Sequence, residues 1–164
     1  MTQPDQRSRR ADVTPAPTSP LPREGRLTVR VRYCECDPMG VAHHGSYVAW
    51  LEMGRTELLR ESGVAYRDLE AEGVLLVITR LELNYRRPAR YDDTVTIVTR
   101  VSGGGRARID HQYEVRRIDE SQHTGDLLAT ASSTLACVDT AGRPRALPAW
   151  LCADAHGEGA SSPD

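Results

Sequence analysis

Residues 35–54, ECDPMGVAHHGSYVAWLEMG, hold an acid, a turn, two histidines and the opening of an amphipathic helix. Two readings compete for them. In one, Cys34, Cys36, His43 and His44 are metal ligands. In the other, Asp37 is a carboxylate held on a turn just ahead of a helix N-terminus. Structural zinc sites space their ligands as C-x2–4-C and H-x3–5-H. Here one residue separates the cysteines and the histidines are adjacent, so no metal is expected.

The flanking pattern supports the second reading. Upstream, LTVRVRYC alternates, with Leu27, Val29, Val31 and Tyr33 on one face, which predicts a half-buried strand. Asp37-Pro38-Met39-Gly40 has Asp first, Pro second and Gly fourth, the order of a type I turn. From His44 to Glu61 the period becomes helical, with Tyr47, Trp50, Leu51, Gly54 and Leu58 on one stripe. Gly45 or Ser46 is the expected cap and Gly63 the expected stop.

Downstream, YRDLEAEG predicts one short helical turn, and strands follow. VLLVITRLELNYRR runs to Pro88, and TVTIVTRV ends in SGGG, read as a hairpin turn. RARIDHQYEVRRI alternates, placing Ala107, Ile109, His111, Tyr113 and Val115 on one face. LLATASSTLACV is a strand of small residues suited to close packing against a helix, and LPAWL predicts a last short turn. One strand, one long helix and four more strands make an α+β domain, an antiparallel sheet wrapped around a central α-helix.

The 164 residues suit one domain with tails. Residues 1–25 carry half of the prolines and few large apolar side chains, so they are expected to be a disordered tail, as are residues 153–164. The domain is placed at 26–152. A formal charge of −2 argues against a general nucleic-acid partner. No apolar run reaches membrane-spanning length, and the N-terminus lacks a signal-peptide core, so a cytoplasmic location is expected. All 21 basic residues are arginine, which removes lysine Schiff-base chemistry. The four cysteines form no C-x-x-C motif and are expected to be reduced.

The run Y-x-E-C-D-P-M-G-V-A-H-H-G-S-Y-V-A-W-L-E between first strand and helix resembles the hotdog-fold acyl-CoA thioesterases, in the 4-hydroxybenzoyl-CoA thioesterase and YbgC-like branch. Asp37, Gly40, Val41, His44 and Tyr47 carry the match, followed by LEMGRTELL and by LNYRRPARYDD. The resemblance implies a hotdog fold and hydrolysis of an acyl-CoA, or an acyl-carrier-protein thioester, without a cofactor; coenzyme A enters only as part of the substrate. It also implies a homodimer or homotetramer with active sites at the dimer interface. By the same resemblance Asp37 is the catalytic carboxylate, as nucleophile or as general base, and Tyr47 belongs to the substrate site. Basic residues at the hairpin and in an R-A-[IL] stretch contact the CoA phosphates in such enzymes, which assigns that role to Arg106, Arg108 and Arg145.

Elementary chemistry agrees with part of this. A thioester carbonyl needs a nucleophile and a donor for the developing oxyanion. The first N–H groups of a helix are unpaired and lie at the positive end of its dipole, so the N–H of His44 or Gly45 is the expected donor. For Asp37 the plain alternative is turn and cap duty. His43 and Glu52 are expected to be structural or solvated, and His111 a satisfied core histidine. Cys36 is a minor alternative nucleophile. The segment Val74–Leu83 is expected to line the acyl pocket. Two other functions stay open: a hotdog hydratase or dehydratase, whose D-x4-H spacing differs from the six-residue step from Asp37 to His43, and a non-catalytic acyl-CoA-binding module.

Overall fold

The computed structural model describes residues 16–118 and 125–152. The expectations for residues 1–15 and 153–164 lie outside these. Five strands, β1 (Glu24–Arg30), β2 (Leu75–Tyr85), β3 (Thr94–Gly105), β4 (Arg108–Arg117) and β5 (Leu127–Val138), form one antiparallel sheet in the order β1-β3-β4-β5-β2. Helix α1 (His44–Arg60) lies on the sheet and α2 (Tyr66–Ala71) follows it. This is the hotdog architecture. Among the described residues no helix is long and apolar enough to cross a membrane.

The alternation in β4 explains why the sheet closes on the helix. Ile109, His111, Tyr113 and Val115 are all buried, and Tyr113 and Val115 share one core with Tyr47, Trp50 and Leu51 of α1 and with Val95, Ile97 and Leu128. A second cluster gathers Leu59, Val64, Leu69 and Val74 with Ile109, Cys137, Leu147 and Leu151 at the other end of the helix. Gly54 is where helix and sheet come closest. A Cβ there would lie 2.5 Å from Thr99 Oγ1 and 3.0 Å from Ile97 Cγ2.

Several local expectations are corrected. β1 ends at Arg30, and Tyr33 sits in a short 3-10 turn (Tyr33–Glu35) with 81% of its surface exposed, off the apolar face. The strand starts at Glu24. Ahead of it, the main-chain N–H of Thr18 and the Ser19 hydroxyl donate to the carbonyls of Ser62 and Glu61, and Leu21 packs on the second cluster. The ordered fold therefore begins before residue 26, because this segment satisfies carbonyls at the end of α1. SGGG is not the turn. β3 runs through Gly105, the turn is Arg106-Ala107, and the register shifts between Val101 and Gly103, a bulge of the kind glycine permits in a strand. The helix cap is His43, whose Nδ1 accepts from Gly45 N–H at 3.1 Å, rather than Gly45 or Ser46.

β2 and β1 are the edges of the sheet. β2 is eleven residues long, and its Val77 and Ile78 are each 41% exposed. Val48 and Met53, on the open side of α1, are exposed as well.

Candidate active site

The chain leaves β1, makes the 3-10 turn, and doubles back through a bridge between Cys36 and Ala42. Asp37 heads the tight turn inside that bridge. Its main-chain N–H donates to Val41 O, and its carbonyl accepts from Gly40 N–H, both at 2.9 Å. Gly40 has φ +74°, a conformation that L side chains resist. Asp37 Oδ1 accepts from Met39 N–H at 2.9 Å. One carboxylate oxygen thus performs the ordinary turn duty of an Asp before Pro. The other has no partner among the described residues.

Helix α1 begins seven residues later. Gly45 N–H is committed to His43 Nδ1, whereas His44 N–H makes no hydrogen bond among the described residues. The carbonyl of His44 accepts from the Tyr85 hydroxyl at 3.1 Å. Tyr85 also meets Tyr47 edge-to-face at 5.1 Å, and Tyr47 packs on Trp50 at 4.8 Å. Tyr47 is buried and its hydroxyl accepts from Ala89 N–H at 3.2 Å. Burial pushes its phenol pKa above the usual value.

These groups enclose a cavity of about 350 Å³. Asp37, His44, Tyr47, Tyr85 and Arg86 line it, with Met39, Val41 and Pro88 supplying apolar wall. The structure therefore brings together Asp37, His44 and Tyr47 of the sequence-assigned residues. The expected lining by Val74–Leu83 is not found in this cavity. β2 reaches it only through its last residue, Tyr85, because the strand's C-terminal end is the one beside the helix start.

The three arginines assigned to CoA lie elsewhere in the protomer. Arg30 of β1 pairs with Thr94, so the Asp37 loop sits at the Thr94 end of β3, and Arg106 follows Gly105 at the opposite end. Twelve residues of strand separate the two ends by on the order of 35 Å. Arg108 pairs with Asp110 at 3.1 Å. Arg145 Nη1 donates to the carbonyls of Glu72 and Gly73 at 3.0 Å each, closing the end of α2.

Glu35 escaped the sequence reading. It is 7% exposed, and it accepts from Arg32 N–H and Nη2, both at 2.7 Å, and from Trp50 Nε1 at 3.0 Å. Burial pushes its pKa up, but the hydrogen bonds from Arg32 and Trp50 outweigh it and hold the carboxyl below its usual value. The available signal was an acid two residues before Asp37, which no periodicity argument flags.

The remaining residues behave as follows. Glu52 is exposed and lies 3.4 Å from Arg55. Cys36 is half-buried and its thiol donates to Arg32 O at 3.8 Å. His111 is buried, but Nδ1 has no partner among the described residues, so it is not a satisfied core histidine. Burial first, and the nearby Arg55 charge second, lower its pKa to about 4. Among the described residues no group of three or more His, Cys, Asp or Glu side chains converges as a metal site would require.

Comparison with known proteins gives the lineage. The chain is 37% identical over 130 residues to the acyl-CoA thioester hydrolase YbgC of Escherichia coli, covering 79% of this chain and 93% of that protein. It is 31% identical over 130 residues to the acyl-CoA thioesterase YbgC of Haemophilus influenzae, covering 78% and 91%. The crystal structure of a DHNA-CoA thioesterase from Staphylococcus aureus superposes with a TM-score of 0.70 at 31% identity, over 76% of this chain and 80% of that one. With residues 31–154 matching the family profile as well, the chain belongs to the thioesterase-like superfamily.

Proposed function

We propose that this protein is an enzyme that hydrolyses acyl-CoA thioesters in the cavity between the Asp37 turn and Tyr85. One observation carries the assignment. A carboxylate, Asp37, and a helix N-terminal N–H, that of His44, line the same largely apolar cavity, and among the described residues one oxygen of the first and the whole of the second have no hydrogen-bond partner. The thioester carbonyl oxygen sits on His44 N–H, where the helix dipole favours negative charge as the tetrahedral intermediate forms. The acyl group lies against Met39, Val41, Tyr47 and Pro88. Asp37 either attacks the carbonyl carbon, expelling the CoA thiolate and leaving an anhydride that water cleaves, or takes a proton from the attacking water. Both routes yield free acid and CoA. Gly45 N–H contributes only where the His43 ring turns away. These steps draw on a carboxylate, a backbone N–H and water, and we assign no cofactor to them.

The site is completed by a second copy in this reading. β2 offers an unpaired edge with exposed Val77 and Ile78, and an exposed apolar edge is a pairing surface. Antiparallel pairing of β2 with its copy sets the Leu75 end of one protomer beside the Tyr85 end of the other. The Leu75 end carries Arg145 at Gly73 and, across the sheet, the Arg106 turn. A dimer therefore supplies further guanidinium groups for the CoA phosphates, beside Arg86 and Arg87 of the protomer's own cavity. A homotetramer is a pairing of such dimers. A cytoplasmic location is consistent with the four unpaired thiols.

A thiol-release assay over aliphatic and aromatic acyl-CoAs and an acyl-carrier-protein thioester tests the function. Turnover of at least one class is expected, with Asp37→Asn slower by roughly 10²-fold or more. Tight binding of acyl-CoA with no turnover would instead identify a binding module. Light scattering of Ile78→Arg, expected to be monomeric, tests the pairing.

A further inference from the structure

Glu35 does not line the cavity, yet it ties the Asp37 loop to the start of α1, two of the segments that shape it. Its carboxylate ties the exit of β1, through Arg32, to the second turn of α1, through Trp50. Its carbonyl accepts from His43 N–H at 2.8 Å and from the Ser46 hydroxyl at 2.9 Å, which holds the first turn of the helix. Asp37 is two residues away on the same loop, and its turn is closed by the bridge between Cys36 and Ala42. One residue thus links the carboxylate that reacts and the N–H that receives the oxyanion.

A buried carboxylate is a costly way to fill space, since an apolar side chain of similar volume does so at no desolvation penalty. What the carboxylate adds is direction. Its bonds to Trp50 and Arg32 run in fixed geometry to groups anchored elsewhere, and Trp50 is fully buried in the core. Catalytic geometry is sensitive on this scale, because a misplacement of about 1 Å can cost on the order of 10²-fold in rate.

We propose that Glu35 is a positioning residue of the thioesterase site, setting the separation between Asp37 and the first turn of α1 without touching substrate. The inference rests on the reading of Asp37 and His44 given above.

Steady-state kinetics of the full chain test it. Glu35→Gln keeps the shape but sets an amide against donors. Its kcat is expected to fall roughly 10- to 100-fold, the cost of about 1 Å of misplacement, while KM for acyl-CoA changes little. Combined with Asp37→Asn, Glu35→Gln slows the enzyme no further than Asp37→Asn alone, as expected for a residue acting through another. Trp50→Phe removes one donor from Glu35 and shows a smaller loss of kcat in the same direction; it reads the same link should Glu35→Gln fail to fold. Wild-type kcat in either folded variant overturns the inference, as does a double variant whose losses multiply. An impaired Asp37→Asn beside a normal Glu35→Gln sinks this inference alone. A fully active Asp37→Asn sinks the site reading and this inference together.

Discussion

The Tyr85 hydroxyl donates to the carbonyl of His44 at 3.1 Å, across 41 residues of sequence. It holds the peptide between His44 and Gly45 from its oxygen side, while His43 Nδ1 holds the same peptide from its N–H side. That plane is therefore fixed at both ends, next to the His44 N–H proposed to bind the oxyanion. Replacing Tyr85 by Phe keeps the edge-to-face contact with Tyr47 and removes only the hydrogen bond. We expect a kcat loss of several-fold in the thiol-release assay. The stability loss should stay near 1 kcal/mol, the usual net worth of one hydrogen bond. An unchanged kcat would show that the peptide needs no such brace.

His43 acts as an N-cap through an imidazole nitrogen, an uncommon choice beside Ser, Asp or Asn. His43→Ala should lower stability by about 1 kcal/mol, and His43→Asn should recover most of it, since Asn is among the best caps. Chemical denaturation of the two variants checks this order. Equal losses would mean that the ring's tilted contact with His44, at 3.9 Å between centroids, matters more than the cap.

His111 makes the fold acid-sensitive. Its folded pKa, about 4, lies below the ordinary value near 6.5 of an unfolded histidine. Between these values the unfolded chain binds the extra proton, so stability falls as pH drops from about 6.5 to about 4. The full contribution is on the order of 3 kcal/mol. Replacing His111 by Phe should flatten this part of the stability curve. Midpoints of urea unfolding at pH 7 and pH 5 give the comparison. A variant whose pH dependence matches the wild type would rule His111 out as its source.

Gly54 lies mid-helix, where Ala would raise helix propensity by about 1 kcal/mol. The close approach to Thr99 and Ile97 reverses the sign. Gly54→Ala should destabilise by roughly 1–3 kcal/mol, the usual cost of overpacking. Thermal unfolding measures it, and a stabilised variant would mean that β3 yields to the extra methyl group.

The long helix, the strands and the Asp-Pro-x-Gly turn were legible in the sequence because their signals are local. The stripe through Tyr47, Trp50, Leu51, Gly54 and Leu58 and the alternation from Ile109 to Val115 each report one buried face, and all of those residues are buried. Asp37 and His44 were legible for the same reason, since a turn and a helix start set their backbone within a few residues. Whether the glycines formed a turn was not, because a strand that continues through Gly103–Gly105 depends on register with β4.

Sequence by itself determined most of the element types and set Asp37 on a turn just ahead of a helix start at His44. Tertiary structure alone decided who shares the site. Tyr85 comes to His44 from the far end of β2. The buried carboxylate of Glu35 acquires its meaning only when Trp50 lies against it. Arg106 and Arg145 fall at the opposite end of the sheet from Asp37. The physical reason is that hydrophobic periodicity encodes which face is buried, whereas hydrogen bonds between distant segments depend on the order and register in which strands pair.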